Sequence, residues 1–272
     1  MNEAVVEATD LVLGYQGVIA LDRSTFTVPS GMVTAVIGPN GSGKSTLLNA
    51  IAGLVQPISG SLWVTPGARV AYVLQTTKVN DALPISVAEV VAMGRFGTAG
   101  AYGRLGPADL HAIQEAMERT GIAHLSKQSL HQLSGGQRQR VFVAQGLAQE
   151  HDILLLDEPL TGIDLTTAIA IDEIVHEEVA EGGAVVITTH DLSEAGVADH
   201  VLLLSGRVVA SGPPSEVLAP DHLVDAYGAA LLHLDGDRIF LDDAAHDPAD
   251  TRHVHRQRSI HTESSLEDTH GE

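Results

Sequence analysis

Gly38-Pro39-Asn40-Gly41-Ser42-Gly43-Lys44-Ser45 spells G-x-x-x-x-G-K-S, three glycines closing on a lysine and a hydroxyl. Glycine has no Cβ, so such a loop can curl and aim several backbone N–H groups at one anion. A helix starting at the end of the loop adds the partial positive charge of its N-terminus. Lys44 is then placed to neutralise the outer phosphates of a nucleotide, the Ser45 hydroxyl to ligate Mg²⁺, and Thr46 to extend the cradle. The flanks fit this chemistry. Met32–Ile37 is an apolar, β-branched run with the length of a buried strand, and residues 46–52 read as a helix. Strand, glycine loop and helix in that order give the motif its meaning. Lys44, Lys78 and Lys127 are the only lysines in the chain, which makes an accidental match less plausible.

Two further apolar runs end in polar clusters. Ile153-Leu154-Leu155-Leu156-Asp157-Glu158-Pro159 reads as a buried parallel strand followed by two carboxylates. Ligands of parallel sheets gather at the carboxyl ends of the strands, so Asp157 is expected to hold Mg²⁺ through water and Glu158 to polarise an attacking water. Ala184–Asp191 repeats the pattern and ends in His190, a candidate contact for a γ-phosphate. Leu133-Ser134-Gly135-Gly136-Gln137 is a second glycine-rich turn, here opening a helix over about 137–149. Ser134 is a good helix cap, and free N–H groups at a helix start bind anions.

With these motifs in this order, residues 3–230 resemble the ATP-binding cassette of ABC transporters. The resemblance implies an α/β fold: a P-loop NTPase (RecA-like) core, an antiparallel β subdomain, and an α-helical subdomain inserted over about 86–140. It identifies Tyr15 with the aromatic that stacks on adenine and Gln75 with the glutamine that touches Mg²⁺ and the attacking water. Residues 133–137 match the family signature, with Ser134, Gly135, Gly136 and Gln137 facing nucleotide. Asp164 is similar to the aspartate that follows the carboxylate motif, and His190 to the switch histidine. Residues 160–164 (Leu-Thr-Gly-Ile-Asp) depart mildly from the commoner wording yet keep the aspartate. In the family the signature of one chain closes over ATP held by another, so a second ATP-binding subunit, most simply a homodimer, is implied. ATP and Mg²⁺ are the expected cofactors, with Glu158, His190, Gln75 and Lys44 as the catalytic set.

Composition narrows the partners. Thirty-five acidic residues against 15 basic ones give a formal net charge of −20, which argues against an extended nucleic-acid surface. There is no cysteine, so disulfides and thiolate metal sites are excluded. No stretch has the roughly 20 apolar residues of a membrane span, and no basic, then apolar, leader is present. A transport ATPase of this kind is expected to work at the cytoplasmic face of the membrane. It would dock peripherally on an integral-membrane permease, with an extracytoplasmic substrate-binding protein in the same system.

Finer features concern the small sheet, the insert, the cargo and the tail. Residues 3–30 and 60–75, including Ser61–Val64 and Arg69–Val73, read as a small antiparallel sheet. Val87–Met93 and Leu110–Thr120 have helical spacing and are separated by a glycine-rich stretch, Gly94–Gly106. Thr76–Pro84 would carry the ATP state from Gln75 to this insert. Leu83–Val87 and Val90–Gly97 resemble the manganese, zinc and iron uptake branch; iron-chelate import and a soluble, non-transport ABC ATPase are the alternatives. Residues 231–241 suggest a short strand pair, and composition indicates disorder from about 242. That tail holds His246, His253, His255, His261 and His270, which suit either divalent-metal binding or a plain solvated tail.

Overall fold

The computed structural model describes residues 3–74, 84–99, 104–228, 232–235 and 238–241. Two long strands, β1 (Ala4–Tyr15) and β2 (Val18–Pro29), form a hairpin and are followed by β3 (Val33–Ile37), α1 (Lys44–Ile51) and β4 (Ser59–Val64). Strand β4 pairs with the other edge of β1, giving an antiparallel sheet in the order β2-β1-β4. Alternation buries Val6, Ala8, Leu11 and Leu13 on its inner face, where they meet Leu47, Leu48 and Ile51 of α1. The phosphate-loop helix is thus wedged between two sheets.

The second sheet is the scaffold of the site. Its remaining strands are β5 (Val70–Val73), β6 (Ile153–Asp157), β7 (Ala184–Thr189), β8 (His200–Leu204) and β9 (Val208–Gly212). The order is β5-β6-β7-β3-β8-β9, parallel throughout except for β9, which returns antiparallel at the edge. Burial on both faces explains the unbroken apolar runs. Ile153 and Leu155 pack toward α1 and the antiparallel sheet, while Leu154 and Leu156 pack toward the other helical layer. Arg69–Val73 therefore does not belong with the small antiparallel sheet, as its alternation suggested. Val70–Val73 pairs in parallel with Ile153–Leu156, because Ala71 and Val73 turn inward against the helices behind the core sheet.

Between β5 and β6 the chain forms α2 (Val87–Ala92), a 3₁₀ turn (Met93–Arg95), α3 (Phe96–Ala99), α4 (Pro107–Arg119) and α5 (Gly135–Leu147). Ser86 starts α2 through a reciprocal cap with Glu89. Val87, Val90 and Val91 then pack with Ile113, Met117, Val141 and Ala144 in a helical core of their own. The expected glycine-rich separator is helical over 93–99. Gly94 is there for close approach: a Cβ on it would lie 2.3 Å from the Gln145 carbonyl oxygen of α5.

After β6 come α6 (Leu165–Ala180), α7 (Leu192–Gly196), α8 (Pro214–Val217) and α9 (Pro220–Tyr227). The last three cover the face of the sheet carrying Ala35, Ile37, Val201 and Leu203. Strands β10 (Leu232–Asp235) and β11 (Arg238–Leu241) make the antiparallel pair expected at 231–241. No helix among the described residues is long and apolar enough to cross a membrane.

Candidate active site

Strand β3 delivers the chain into the glycine loop at Gly38. Backbone there has φ 148°, and a Cβ would lie 2.1 Å from the Leu204 carbonyl oxygen, so only glycine fits against the neighbouring strand. Gly43 precedes α1 in a left-handed conformation, and no side chain caps the first turn of that helix. Its leading N–H groups are therefore available to an anion. The Ser42 hydroxyl is buried and makes no hydrogen bond among the described residues, an orphan that a phosphate oxygen would satisfy. Pro39 is half-buried, and Asn40, Gly41 and Ser45 are exposed along the rim, with Thr46 half-buried one residue into the helix.

Lys44 is 6% exposed, and its ammonium donates to the carbonyl oxygens of Gly38 at 2.8 Å and Pro39 at 3.2 Å. The backbone of the loop thus aims the lysine. Burial lowers its pKa, and the nearby carboxylates of Glu158 and then Asp157 partly oppose that shift. Tyr15, at the end of β1, is 47% exposed and accepts a hydrogen bond from the Asn49 amide of α1 at 3.2 Å. Its ring stands beside the phosphate-loop helix.

The carboxylates sit where the parallel sheet meets the loop. Asp157 closes β6, directly opposite Thr188 in the register with β7. The Thr188 hydroxyl donates to Asp157 Oδ1 at 2.6 Å and accepts the Glu158 N–H at 2.8 Å. Glu158 itself has φ 48°, a left-handed conformation that costs a non-glycine residue of order 1–3 kcal/mol. Tyr72 of β5 lies 3.4 Å from Asp157 Oδ2, and burial followed by that carboxylate raises its phenol pKa. His190 follows β7 and is exposed. The turn after it is held by Thr189, whose hydroxyl accepts the Asp191 N–H at 3.0 Å and donates to Glu194.

Helix α5 begins two residues earlier than its expected start. Ser134 Oγ accepts the Gln137 N–H at 3.2 Å, and Gln137 Oε1 accepts the Ser134 N–H at 3.0 Å. Gln137 therefore commits its side-chain oxygen to the cap. Asp164 caps α6 by accepting the Thr167 N–H at 2.9 Å, which holds its carboxyl below the usual range. The two helix starts touch: a Cβ on Gly136 would lie 2.8 Å from both Asp164 Oδ2 and Thr167 Oγ1. Around Gly135 the same probe meets nothing within 4 Å. Gln75 and Lys78 through Leu83, with the proposed link from 76 onward, lie outside the described residues, as does the histidine-containing tail from 242.

Loop, lysine and carboxylate pair thus converge on one edge of the parallel sheet, the edge at which such sheets hold ligands. Sequence motifs led to Lys44, Asp157 and Glu158 but not to Thr188 or Tyr72. The only available signal was a threonine pair ending an otherwise apolar strand. Backbone donors and an ammonium facing two carboxylates suit a nucleoside triphosphate and its hydrolysis, so the class is a P-loop ATPase.

Comparison with known proteins sharpens the class. The ABC transporter family model matches residues 21–161. The manganese transport system ATP-binding protein MntB of Bacillus subtilis (strain 168) is 37% identical over 236 residues, covering 84% of this chain and 94% of that protein. The ferric enterobactin transport ATP-binding protein FepC of Escherichia coli (strain K12) is 37% identical over 249 residues, covering 86% and 92%. A solved metal-chelate type ABC transporter in an inward-facing conformation superposes with a TM-score of 0.74 at 28% identity, covering 84% of this chain and 89% of that one. This chain belongs to the ABC transporter family, as an ATP-binding and ATP-hydrolysing subunit that works with a membrane permease.

Proposed function

We propose that this subunit powers uptake of a transition-metal ion (manganese, zinc or iron) through a separate permease. It would do so as a head-to-tail homodimer at the cytoplasmic face of the membrane, supplied by an extracytoplasmic substrate-binding protein. Support for the cargo comes from relatives of equal identity that are named for manganese and for a ferric chelate. Iron-chelate import is therefore the second reading.

In the proposed reaction the loop N–H groups and Lys44 bind the phosphates, and Tyr15 stacks on the base. Glu158 orients and deprotonates the attacking water, with Gln75 and His190 beside the γ-phosphate. The oxygen donors Ser45 and Asp157 are hard ligands of the kind Mg²⁺ takes, and those residues would hold it. When bound, that ion neutralises charge developing on the phosphoryl oxygens.

The observation that carries the two-chain arrangement is the contrast at the signature. Gly136 is needed by this chain's own packing, whereas Gly135 lies against open space. A glycine bordered by open space fits close approach by a nucleotide held on a second copy, with Ser134 and Gly136 supplying N–H groups and Asp164 adjoining them.

Docking to the permease is assigned to an apolar groove of about 610 Å³ on the helical subdomain, lined by Pro84, Ile85, Glu89, Ala92, Met93, Phe96 and Leu105. Met93 and Phe96 are 42% and 56% exposed there, a patch of the kind that marks protein interaction sites.

Proteoliposomes containing the permease and this subunit test the assignment. ATP-dependent accumulation of manganese, zinc or ferrous ion supports the proposal. Accumulation of a ferric chelate alone would establish the second reading, and no accumulation of either would remove both.

A further inference from the structure

Thr188 has no role assigned from the sequence, yet its hydroxyl bonds both the Asp157 carboxylate and the Glu158 backbone. We infer that Thr188 is a positioning residue for hydrolysis: its hydroxyl sets the orientation of Asp157 and locks Glu158 in its left-handed backbone conformation. The inference rests on Asp157 and Glu158 having the roles proposed above.

The geometry leaves the hydroxyl little choice. Thr188 is fully buried, and the parallel register sets it beside Asp157 on the neighbouring strand. A threonine hydroxyl has one proton to donate and lone pairs to accept with. The Glu158 N–H at 2.8 Å can only donate, so the hydroxyl accepts there. Its single proton goes to Asp157 Oδ1 at 2.6 Å, the short distance of a hydrogen bond to an ionised acceptor. One oxygen of the carboxylate is thereby anchored to β7, and rotation of the other toward the loop is restricted.

At Glu158 the effect is on the backbone. A left-handed glutamate persists only where its surroundings over-determine it. Pro159 disfavours the right-handed helical region for the residue before it. The bond from the Glu158 N–H to Thr188 then fixes the peptide from which the side chain departs. Valine at 188 would keep the branch and lose both bonds, leaving a donor without its partner and the carboxylate without its anchor. Outer partners of this kind commonly matter about 10–100-fold in metal affinity or activity.

The test compares Thr188→Val and Thr188→Ser with the native chain, using Glu158→Gln as the reference for lost chemistry. Four quantities are measured: thermal midpoint, equilibrium ATP affinity, the Mg²⁺ concentration for half-maximal turnover, and kcat. Amide exchange at Asp157 and Glu158 is followed in nucleotide-free protein, a readout that needs no turnover. For Thr188→Val we expect a kcat loss of about tenfold or more with ATP affinity nearly unchanged, and a higher Mg²⁺ requirement. The Glu158 amide should also lose protection, and Thr188→Ser should restore most of both losses.

Native kcat and exchange in Thr188→Val would overturn the inference while leaving the roles of Asp157 and Glu158 intact. Equal loss in the serine and valine variants would also overturn it, because packing and not the hydroxyl would then matter. Native turnover in Glu158→Gln would instead remove the reading on which the inference depends. If Thr188→Val does not fold, the serine variant still decides: its Glu158 amide must remain protected, and exposure of that amide refutes the assignment.

Discussion

Gly135 gives the sharpest way to separate what this chain needs for its own fold from what it offers a second copy. Its backbone is outside the left-handed region, and an added Cβ meets no atom within 4 Å. Gly135→Leu should therefore not strain the monomer. Replacing glycine in a compatible backbone commonly gains about 0.4–1 kcal/mol, largely through the unfolded state. At this chain length 1 kcal/mol moves the thermal midpoint by about 2–4 °C, so a rise of about 1–4 °C is expected. Gly136→Ala is the internal contrast. Its Cβ would sit 2.8 Å from Asp164 Oδ2 and Thr167 Oγ1, and overpacking of that kind costs about 1–3 kcal/mol. The assay measures melting, ATP affinity of the monomer at low protein concentration, and phosphate release at high concentration. Gly135→Leu should keep its fold and its ATP affinity. It should lose turnover on the order of 10²-fold, the penalty for holding reacting groups about 1 Å out of place. Full turnover in this variant would refute a site completed across a dimer. A fall in midpoint matching that of Gly136→Ala would refute the reasoning from open space.

Two further outcomes follow from the same geometry. Glu158→Gln keeps the backbone bond to Thr188 and should still bind ATP, yet turnover should fall about 10²–10⁴-fold, leaving a long-lived ATP-bound dimer visible by size-exclusion chromatography. The second concerns His151, whose Nε2 lies 2.8 Å from Glu178 Oε2, with Arg119 on the other carboxylate oxygen at 2.8 Å. Burial alone would lower the His151 pKa, but the Glu178 hydrogen bond and the Gln149 carbonyl outweigh it and raise the value above 6.5. Burial likewise opposes the lowering of Glu178 below 4.5 by His151 and Arg119. The raised histidine stabilises the fold below pH 6.5 and loses that contribution as pH climbs through its folded value. The lowered carboxylate contributes above pH 4.5 and loses its share as pH falls through its folded value. The stability difference between the native chain and His151→Gln should be largest between these pH values and shrink toward alkaline pH. A difference that stays flat from pH 5 to pH 9 by urea titration would contradict this coupling (urea midpoints being compared at constant slope).

How much was legible depended on whether a feature is local in the chain. The glycine loop, the run ending in Asp157 and Glu158, and the Ser134 turn are each contiguous, and each appears in the fold as a strand end or a helix start. Val70–Val73 lies in the core sheet and not in the antiparallel one, because alternation records which side chains point inward and not which strand lies alongside. Helix α5 starts at Gly135 because the Ser134–Gln137 cap outweighs the poor helix propensity of two glycines. Thr188 could not be recognised as a partner of Asp157, since the register that joins them spans 31 residues.

The joint between the helical region and the core was hidden for a different physical reason. Arg95, 6% exposed, donates to Asp109 at 2.9 Å within the helical region, and to the Ala148 carbonyl at 3.2 Å and Glu150 at 3.1 Å beside β6. Glu150 in turn meets Arg69 ahead of β5 at 2.7 Å, while Arg119 at the end of α4 reaches Glu177 and Glu178 of α6. An apolar seam between two bodies would leave a hydrophobic stripe with helical period in the sequence. A seam that includes ion pairs leaves no period at all, because each charge answers to one distant partner. Of these pairs only Arg69–Glu150 is half-exposed on both sides, so water can replace either partner there, whereas Arg95 and Glu178 are buried and costly to unpair. The joint is not polar throughout: Val143 of α5 packs with Ala71, Val73 and Leu154 behind the core sheet, so the ion pairs flank an apolar contact that ties the helical region to β5 and β6.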